Sequence, residues 1–317
     1  MIGILTNDSF LKIKDVEEYF TENVDEEWKI YKIFDEIYDD RDKIDIILSS
    51  GRLDGEKIKN FKNLKRVFSY TTGVDKYPLD SLNEMGVVLT NTKGVQAKSI
   101  SEQVLGVMIS FSRNLFKAYQ NKAERKYEKY PMYELYNKRL LIIGMGSIGR
   151  ELARRAKAFD MRIAGVRNHV DGKDQENFDE VYPTSELKNH LSGFDYIVSI
   201  LPSTESTRDL YNYDLFKAMD KNTIFMNVGR GDAVIEDDLI RSLKDGEIRG
   251  AYLDVFQNEP LSPSSDLWDL DNLVITPHIA GPTPFYFERA MVLFQRNLEE
   301  FRKNKELSNT ISYEERY

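Results

Sequence analysis

The chain contains no cysteine. That absence removes disulfides, thiolate metal sites, iron–sulfur clusters and cysteine nucleophiles together. Histidine is scarce too: three in 317 residues leave little room for a multi-histidine site, and no metal is expected. The apolar stretch at 104–111, VLGVMISF, is too short to span a bilayer. The opening MIGILTND lacks a basic n-region and a long apolar h-region. No signal peptide is therefore expected, and a cytoplasmic location is. Positive charge is in deficit, with 44 Lys+Arg against 53 Asp+Glu and a formal net charge of −9. This balance argues against nucleic acid or an anionic membrane as partner. It leaves a small anionic ligand open, because the field of a site is local.

What is present suits a folded, water-exposed protein: 41% hydrophobic and 31% charged residues. The length corresponds to about two domains of roughly 150 residues. Short β-rich runs at 2–5, 29–33, 44–48, 65–69 and 87–90 alternate with charged, helix-like segments such as 14–20 and 54–62. Residues 99–119 read as one long amphipathic helix with a serine cap. A charged, Tyr-rich connector at 120–138 follows. A second alternating series then places strands at 139–143, 162–166, 196–200, 223–228, 249–254 and 273–276, and a helix at 284–301. Alternation of this kind predicts two α/β units with doubly wound parallel sheets.

Residues 139–149, RLLIIGMGSIG, carry Gly144-x-Gly146-x-x-Gly149 between an apolar run and a helix. The first glycine makes the tight turn, the second admits a pyrophosphate to the backbone, and the third lets helix pack on strand. The helix start at Ser147 and Ile148 supplies unpaired N–H groups and partial positive charge. Strand, turn, helix and next strand stand in the order a dinucleotide site needs. An NAD site wants an acid at the end of that next strand. Here Arg167 and Asn168 stand there, with no acid before Asp171. A guanidinium suits a 2′-phosphate, so NADP(H) is the preferred cofactor and NAD(H) the other option. His169 is a further candidate for that phosphate pocket or a surface residue, and His190, in ELKNHLSG, reads as a solvated one.

Three more motifs sit at strand ends: Arg230 in MNVGRG, Glu259 in DVFQNEP and His278 in TPHIAG. Ligands of open α/β sheets bind outside the carboxyl ends of the strands, so all three are expected in one crevice. A histidine is the natural proton donor near neutral pH, and a neighbouring carboxylate favours its imidazolium form. A planar guanidinium grips a carboxylate bidentately.

The motifs GMGSIG, LPSTEST (201–207), NVGRGDAVIEDDL (227–239), AYLDVFQNEPL (251–261) and TPHIAGPT (276–283) together make the sequence resemble the D-isomer-specific 2-hydroxyacid dehydrogenase family. That family includes glyoxylate/hydroxypyruvate reductases and phosphoglycerate dehydrogenases. The resemblance implies a flavodoxin-like substrate domain, 1–98 plus 286–317, into which a Rossmann cofactor domain, 99–285, is inserted. It implies that Arg230, Glu259 and His278 are the catalytic set and that Asp254 sits near the nicotinamide amide. The segment TTGVDKY (71–77) matches the family's substrate loop, so Thr72, Gly73 and Val74 are expected to receive the substrate carboxylate. The matching motifs add Leu201, Pro202, Thr207, Val228, Gly229 and Gly281, with His278 again, to the residues expected to line the cofactor. The expected reaction is hydride transfer between NAD(P)H and a small 2-keto acid or D-2-hydroxy acid. Glu259 argues against the sister formate dehydrogenases, which resemble this pattern with Gln there, and the prolines after His278 leave the substrate unnamed. A dinucleotide-sensing, corepressor-like protein with a retained catalytic set is the alternative. A homodimer through 99–119 and the connector is also implied.

Overall fold

The computed structural model describes residues 1–314 apart from 52, 75, 169, 171–174 and 304. The chain divides into two compact units, Met1–Val95 with Thr283–Tyr317, and Gln96–Pro282.

The first unit holds a five-stranded parallel sheet: β1 (Ile2–Leu5), β2 (Trp28–Tyr31), β3 (Ile46–Ser49), β4 (Arg66–Ser69) and β5 (Val88–Thr90). Its order, β2-β1-β3-β4-β5, is the flavodoxin-like one. The central strands IGIL, IILS and RVFS are buried at every position, as parallel strands covered on both faces must be. Their alternation sorts two cores. Leu5, Ile47 and Val67 face α2 (Phe34–Asp39), α3 (Leu79–Glu84) and a short turn of 3-10 helix. Ile4, Leu48 and Phe68 face α1 (Ile13–Asn23) and the C-terminal helix Tyr286–Arg302, which brings Phe294 and Leu298. That helix is where the tail returns to the first unit. The helix expected over 54–62 is only the 3-10 turn Lys57–Asn60.

In the second unit, α4 (Ala97–Ser112) and α5 (Leu115–Ala123) stand where one helix was expected. The break falls at Asn114, whose φ of +51° is left-handed and whose Nδ2 donates to Pro131 O at 2.5 Å. Asparagine tolerates this conformation better than most residues. The serine cap is also corrected. Helix α4 begins two residues earlier, and Ser99 Oγ instead donates to Gln96 O and Gly281 O.

The seven parallel strands of this unit are β6 (Arg139–Ile143), β7 (Arg162–Arg167), β8 (Glu180–Pro183), β9 (Tyr196–Ser199), β10 (Ile224–Asn227), β11 (Gly250–Leu253) and β12 (Leu273–Ile275). Their order is β12-β11-β10-β9-β6-β7-β8, a Rossmann sheet whose order reverses between β6 and β9. The edge strand β8 is absent from the sequence reading, because EVYP is short and largely half-exposed. Its Tyr182 stacks on the ring of part-exposed His190 at 3.7 Å. Helices α6 (Ser147–Lys157) and α4 cover one face, with Leu152, Ala156 and Val104 on Leu140, Ile142 and Val198. Helices α7 (Tyr213–Lys217) and α8 (Glu236–Lys244) cover the other, with Phe216 and Leu239 on Leu141, Ile143 and Ile197. The C-terminal helix of the chain is α9 (Tyr286–Arg302).

Candidate active site

Strand β6 feeds the glycine turn, and α6 leaves it with Gly146 at its N-cap and no side chain capping its first N–H groups. Position 149 admits no Cβ, which would lie 2.2 Å from Gly144 O. This is the close helix–strand contact that the third glycine permits. Around Gly146, by contrast, a Cβ would meet nothing within 4 Å. The turn is thus tight where it packs and open where a pyrophosphate would approach the helix start. Ser147 and Ile148, the first residues of α6, are half-buried. A dinucleotide fits this cradle.

Strand β7 ends on half-buried Arg167, followed by exposed Asn168, and neither is an acid. Arg167 lies in register with Pro183 of β8. His169 lies outside the described residues. Across the switch point, Leu201 and Pro202 follow β9 and are half-buried. Thr207 braces their loop: its hydroxyl donates to Pro202 O at 2.7 Å and accepts from Thr204 N at 2.9 Å.

Arg230 follows β10 through the buried pair Val228 and Gly229. Gly231, on its other side, packs so closely on the next loop that a Cβ would sit 1.9 Å from Phe256 O. Asn227 organises this turn: Oδ1 accepts from Gly229 N at 3.1 Å and Nδ2 donates to Arg230 O at 2.9 Å. The guanidinium, half-buried, donates to Gly229 O at 2.9 Å. Gly231 therefore lets the Arg230 turn lie directly against the loop that carries Glu259, while Gly229 lies against the Leu201 backbone.

Glu259 and His278 meet. The His278 Nδ1 lies 2.8 Å from Glu259 Oε2, while Oε1 accepts from Phe256 N at 3.1 Å. Among the described residues Nε2 has no hydrogen-bond partner. The His278 backbone is left-handed, φ +53°, a conformation that costs a non-glycine residue about 1–3 kcal/mol. Asp254 holds it there. The Asp254 carbonyl accepts from His278 N at 2.8 Å. Its buried carboxylate accepts from Ile279 N at 2.9 Å, Ala280 N at 3.0 Å and the Thr276 hydroxyl. The Asp254 oxygens thus organise the histidine loop. Tyr252, which receives Gln103 Nε2 at 3.2 Å, shares the Thr276 hydroxyl at 2.8 Å. Gly281 ends the loop against the amide end of the Gln96 side chain, which a Cβ would push aside.

The loop at 72–74 belongs to the first unit. Its carbonyls are tied down: Thr71 Oγ1 donates to Gly73 O at 2.9 Å, Asn91 Nδ2 to Thr72 O at 2.7 Å and Tyr77 N to Val74 O at 2.9 Å. The amides of Gly73 and Val74 donate to nothing among the described residues. Successive free N–H groups of this kind form an anion-binding nest.

Sequence reasoning passed over Asn227, Tyr252, Thr276, Gln103 and Asn91. For Asn227, Thr276 and Asn91 the available signal was a polar residue at or just beyond the end of an apolar strand; Tyr252, inside β11, and Gln103, inside α4, carried no such signal. Among the described residues no group of three or more His, Asp or Glu could hold a metal, and no helix is long and apolar enough to cross a membrane.

Residues 105–280 match the family described as "D-isomer specific 2-hydroxyacid dehydrogenase, NAD binding domain". The glyoxylate reductase of Pyrococcus furiosus is 32% identical over 270 residues, covering 82% of this chain and 79% of that protein. A family protein from Aeromonas salmonicida superposes with a TM-score of 0.81 at 30% identity, over 98% of both chains. An NADPH-dependent glyoxylate/hydroxypyruvate reductase of Sinorhizobium meliloti, solved with NADP and sulfate, gives a TM-score of 0.83 at 26% identity, over 100% of this chain and 99% of that one. The paired His278 and Glu259, the glycine cradle and these relatives agree: the chain belongs to the D-isomer specific 2-hydroxyacid dehydrogenase family, the hydride-transferring oxidoreductases of 2-keto and 2-hydroxy acids.

Proposed function

We propose that the protein is an NADP(H)-preferring reductase of a small 2-keto acid, giving the D-2-hydroxy acid. The observation that carries this reading is the His278–Glu259 pair at 2.8 Å, placed beside the Arg230 turn. Glu259 holds Nδ1 and so orients the ring, leaving Nε2 to donate the proton to the keto oxygen. The Arg230 guanidinium grips the substrate carboxylate and polarises the carbonyl. We assign the amides of Gly73 and Val74, the nest in the first unit, to a substrate carboxylate. When bound, the nicotinamide supplies the hydride that C2 receives.

For the dinucleotide we assign Gly144, Gly146, Ser147, Ile148 and Gly149 to the pyrophosphate, and Arg167 with Asn168 to the 2′-phosphate. Leu201, Pro202, Thr207, Val228, Gly229, Asp254 and Gly281 form or brace the walls. Arg167 in place of an acid supports NADP(H), and the Sinorhizobium relative was solved with NADP. The names of the relatives favour an oxidoreductase over a sensing or corepressor-like protein. The deciding experiment is a steady-state panel of glyoxylate, hydroxypyruvate, pyruvate, phenylpyruvate and branched keto acids with NADH and NADPH. Turnover of at least one keto acid, faster with NADPH, is expected. Absence of turnover across the panel overturns the enzyme reading.

A further inference from the structure

We propose that the C-terminal tail, residues 309–313, acts through Asn91 as a strap that sets the carboxylate-binding loop at 72–74. The inference rests on the reading of that loop given above. Its parts all lie in the first unit. Beyond α9 the chain turns back at Asn309, whose φ is +59°. It then runs antiparallel along β5, the edge of the sheet. Thr310 bridges Thr90, Ile311 N donates to Leu89 O at 2.9 Å, and the Tyr313 hydroxyl donates to Val87 O. Ile311 is buried among Leu82, Val87 and Leu89, so the tail is packed as well as hydrogen-bonded.

Asn309 and Asn91 are joined in both directions. Asn91 N donates to Asn309 O at 3.3 Å, and Asn309 Nδ2 donates to Asn91 O at 3.4 Å and to Lys93 O at 2.8 Å. Asn91 is itself 5% exposed. Its side chain spends both ends: Oδ1 accepts from Lys93 N at 3.1 Å and Nδ2 donates to Thr72 O at 2.7 Å. The Thr72 carbonyl belongs to the peptide whose N–H is that of Gly73. Fixing that oxygen fixes the plane of the peptide, and with it the direction of the first amide of the nest. Below the loop, the Tyr286 hydroxyl of α9 donates to Tyr70 O at 2.9 Å and pairs with Thr92 Oγ1 at 2.8 Å. The C-terminal segment thus holds the loop through α9 and through the tail. Asn91 touches no reacting atom and is a positioning residue.

The test compares wild type, Asn91→Leu and Asn309→Gly. Leucine matches asparagine in size and adds no charge near an anion site. Glycine keeps the left-handed turn and removes only the side chain. One neutral hydrogen bond corresponds to about 3–10-fold in binding. The KM for a keto acid that the wild type reduces should rise by about that factor in Asn91→Leu, and less in Asn309→Gly. The turnover number, the Kd for NADPH and the KM for the matching keto amide should stay within about twofold. Hydrogen exchange of the 70–77 peptide, which needs no activity, should quicken in both variants. Unchanged exchange with unchanged KM overturns the strap. An equal rise in KM for keto acid and keto amide overturns its link to the carboxylate. Quickened exchange in a protein that reduces no keto acid leaves the strap standing and defeats the functional reading instead.

Discussion

His278 and Glu259 lie 19 positions apart in the chain and 2.8 Å apart in the fold. Removing the acid–base group should lower turnover by about 10²–10⁴-fold. His278→Gln is accordingly expected to lose that much kcat while NADPH still raises its melting temperature; near-normal turnover would end the assignment. On the proposed reading, Arg167 carries the cofactor preference. Arg167→Ala should raise the Kd for NADPH at least about tenfold, the scale of a charge-assisted hydrogen bond, and that for NADH little. Fluorescence titration with both cofactors checks it, and equal weakening removes the phosphate assignment. Arg167, Arg230, Glu259 and His278 were all legible in the sequence, because each stands beside a glycine, a proline or a strand end whose role is local. Asp254 was legible as important and illegible in detail. Nothing local says that its carboxylate would accept the Ile279 and Ala280 amides.

At the scale of elements, the loop 276–280 is built on that buried carboxylate. Asp254→Ala leaves the Ile279 and Ala280 amides without their acceptor and takes one of two partners from the Thr276 hydroxyl, and an unsatisfied buried group such as the Ala280 amide costs about 1–3 kcal/mol. A lowered melting temperature together with lost turnover is expected, read by calorimetry and assay on one sample. Helix α6 offers a pH test. Arg154, then Arg155, hydrogen-bond Glu151 and lower its carboxyl from 4.5 to about 2. A lowered folded-state pKa contributes stability that is complete above the unfolded value and lost as pH falls towards the folded one. Glu151→Gln should therefore cost about 1 kcal/mol at pH 7. Its melting curve should converge on wild type between pH 4.5 and about 2. A constant gap across that window contradicts the pairing. The strands were legible because parallel strands are near-continuous apolar runs. The edge strand β8 and the break at Asn114 were not: one is too short and half-exposed, and the other is a single left-handed residue inside an unbroken amphipathic pattern.

For the molecule as a whole, a cofactor that binds only the folded chain stabilises it by about 2.7 kcal/mol at 100 times its Kd. NADPH should therefore raise the melting temperature measurably. We also propose a homodimer. Leu115, Phe116, Tyr119, Tyr127, Met132, Tyr133 and Tyr136 are all exposed on α5 and the connector, from 38% for Phe116 to 99% for Tyr127. Apolar residues so concentrated mark an interaction surface. Light scattering should give twice the monomer mass, and Phe116→Asp with Tyr119→Asp should give the monomer. A wild-type monomer refutes the assembly.

The chain by itself determined what local physics controls: the absence of cysteine chemistry, two alternating α/β series, the glycine turn and the residue types at the strand ends. The net charge of −9 narrowed the partners without deciding the ligand. Tertiary structure decided which of those groups meet. Only folding brings Glu259 to His278, lays the Arg230 turn on Phe256 and returns the tail at Asn309 to Asn91, 218 positions earlier. The physical reason is range. Turns, caps and strand periodicity are set by neighbours in sequence, whereas a buried carboxylate or amide finds its partners only when sheets and loops have closed around it.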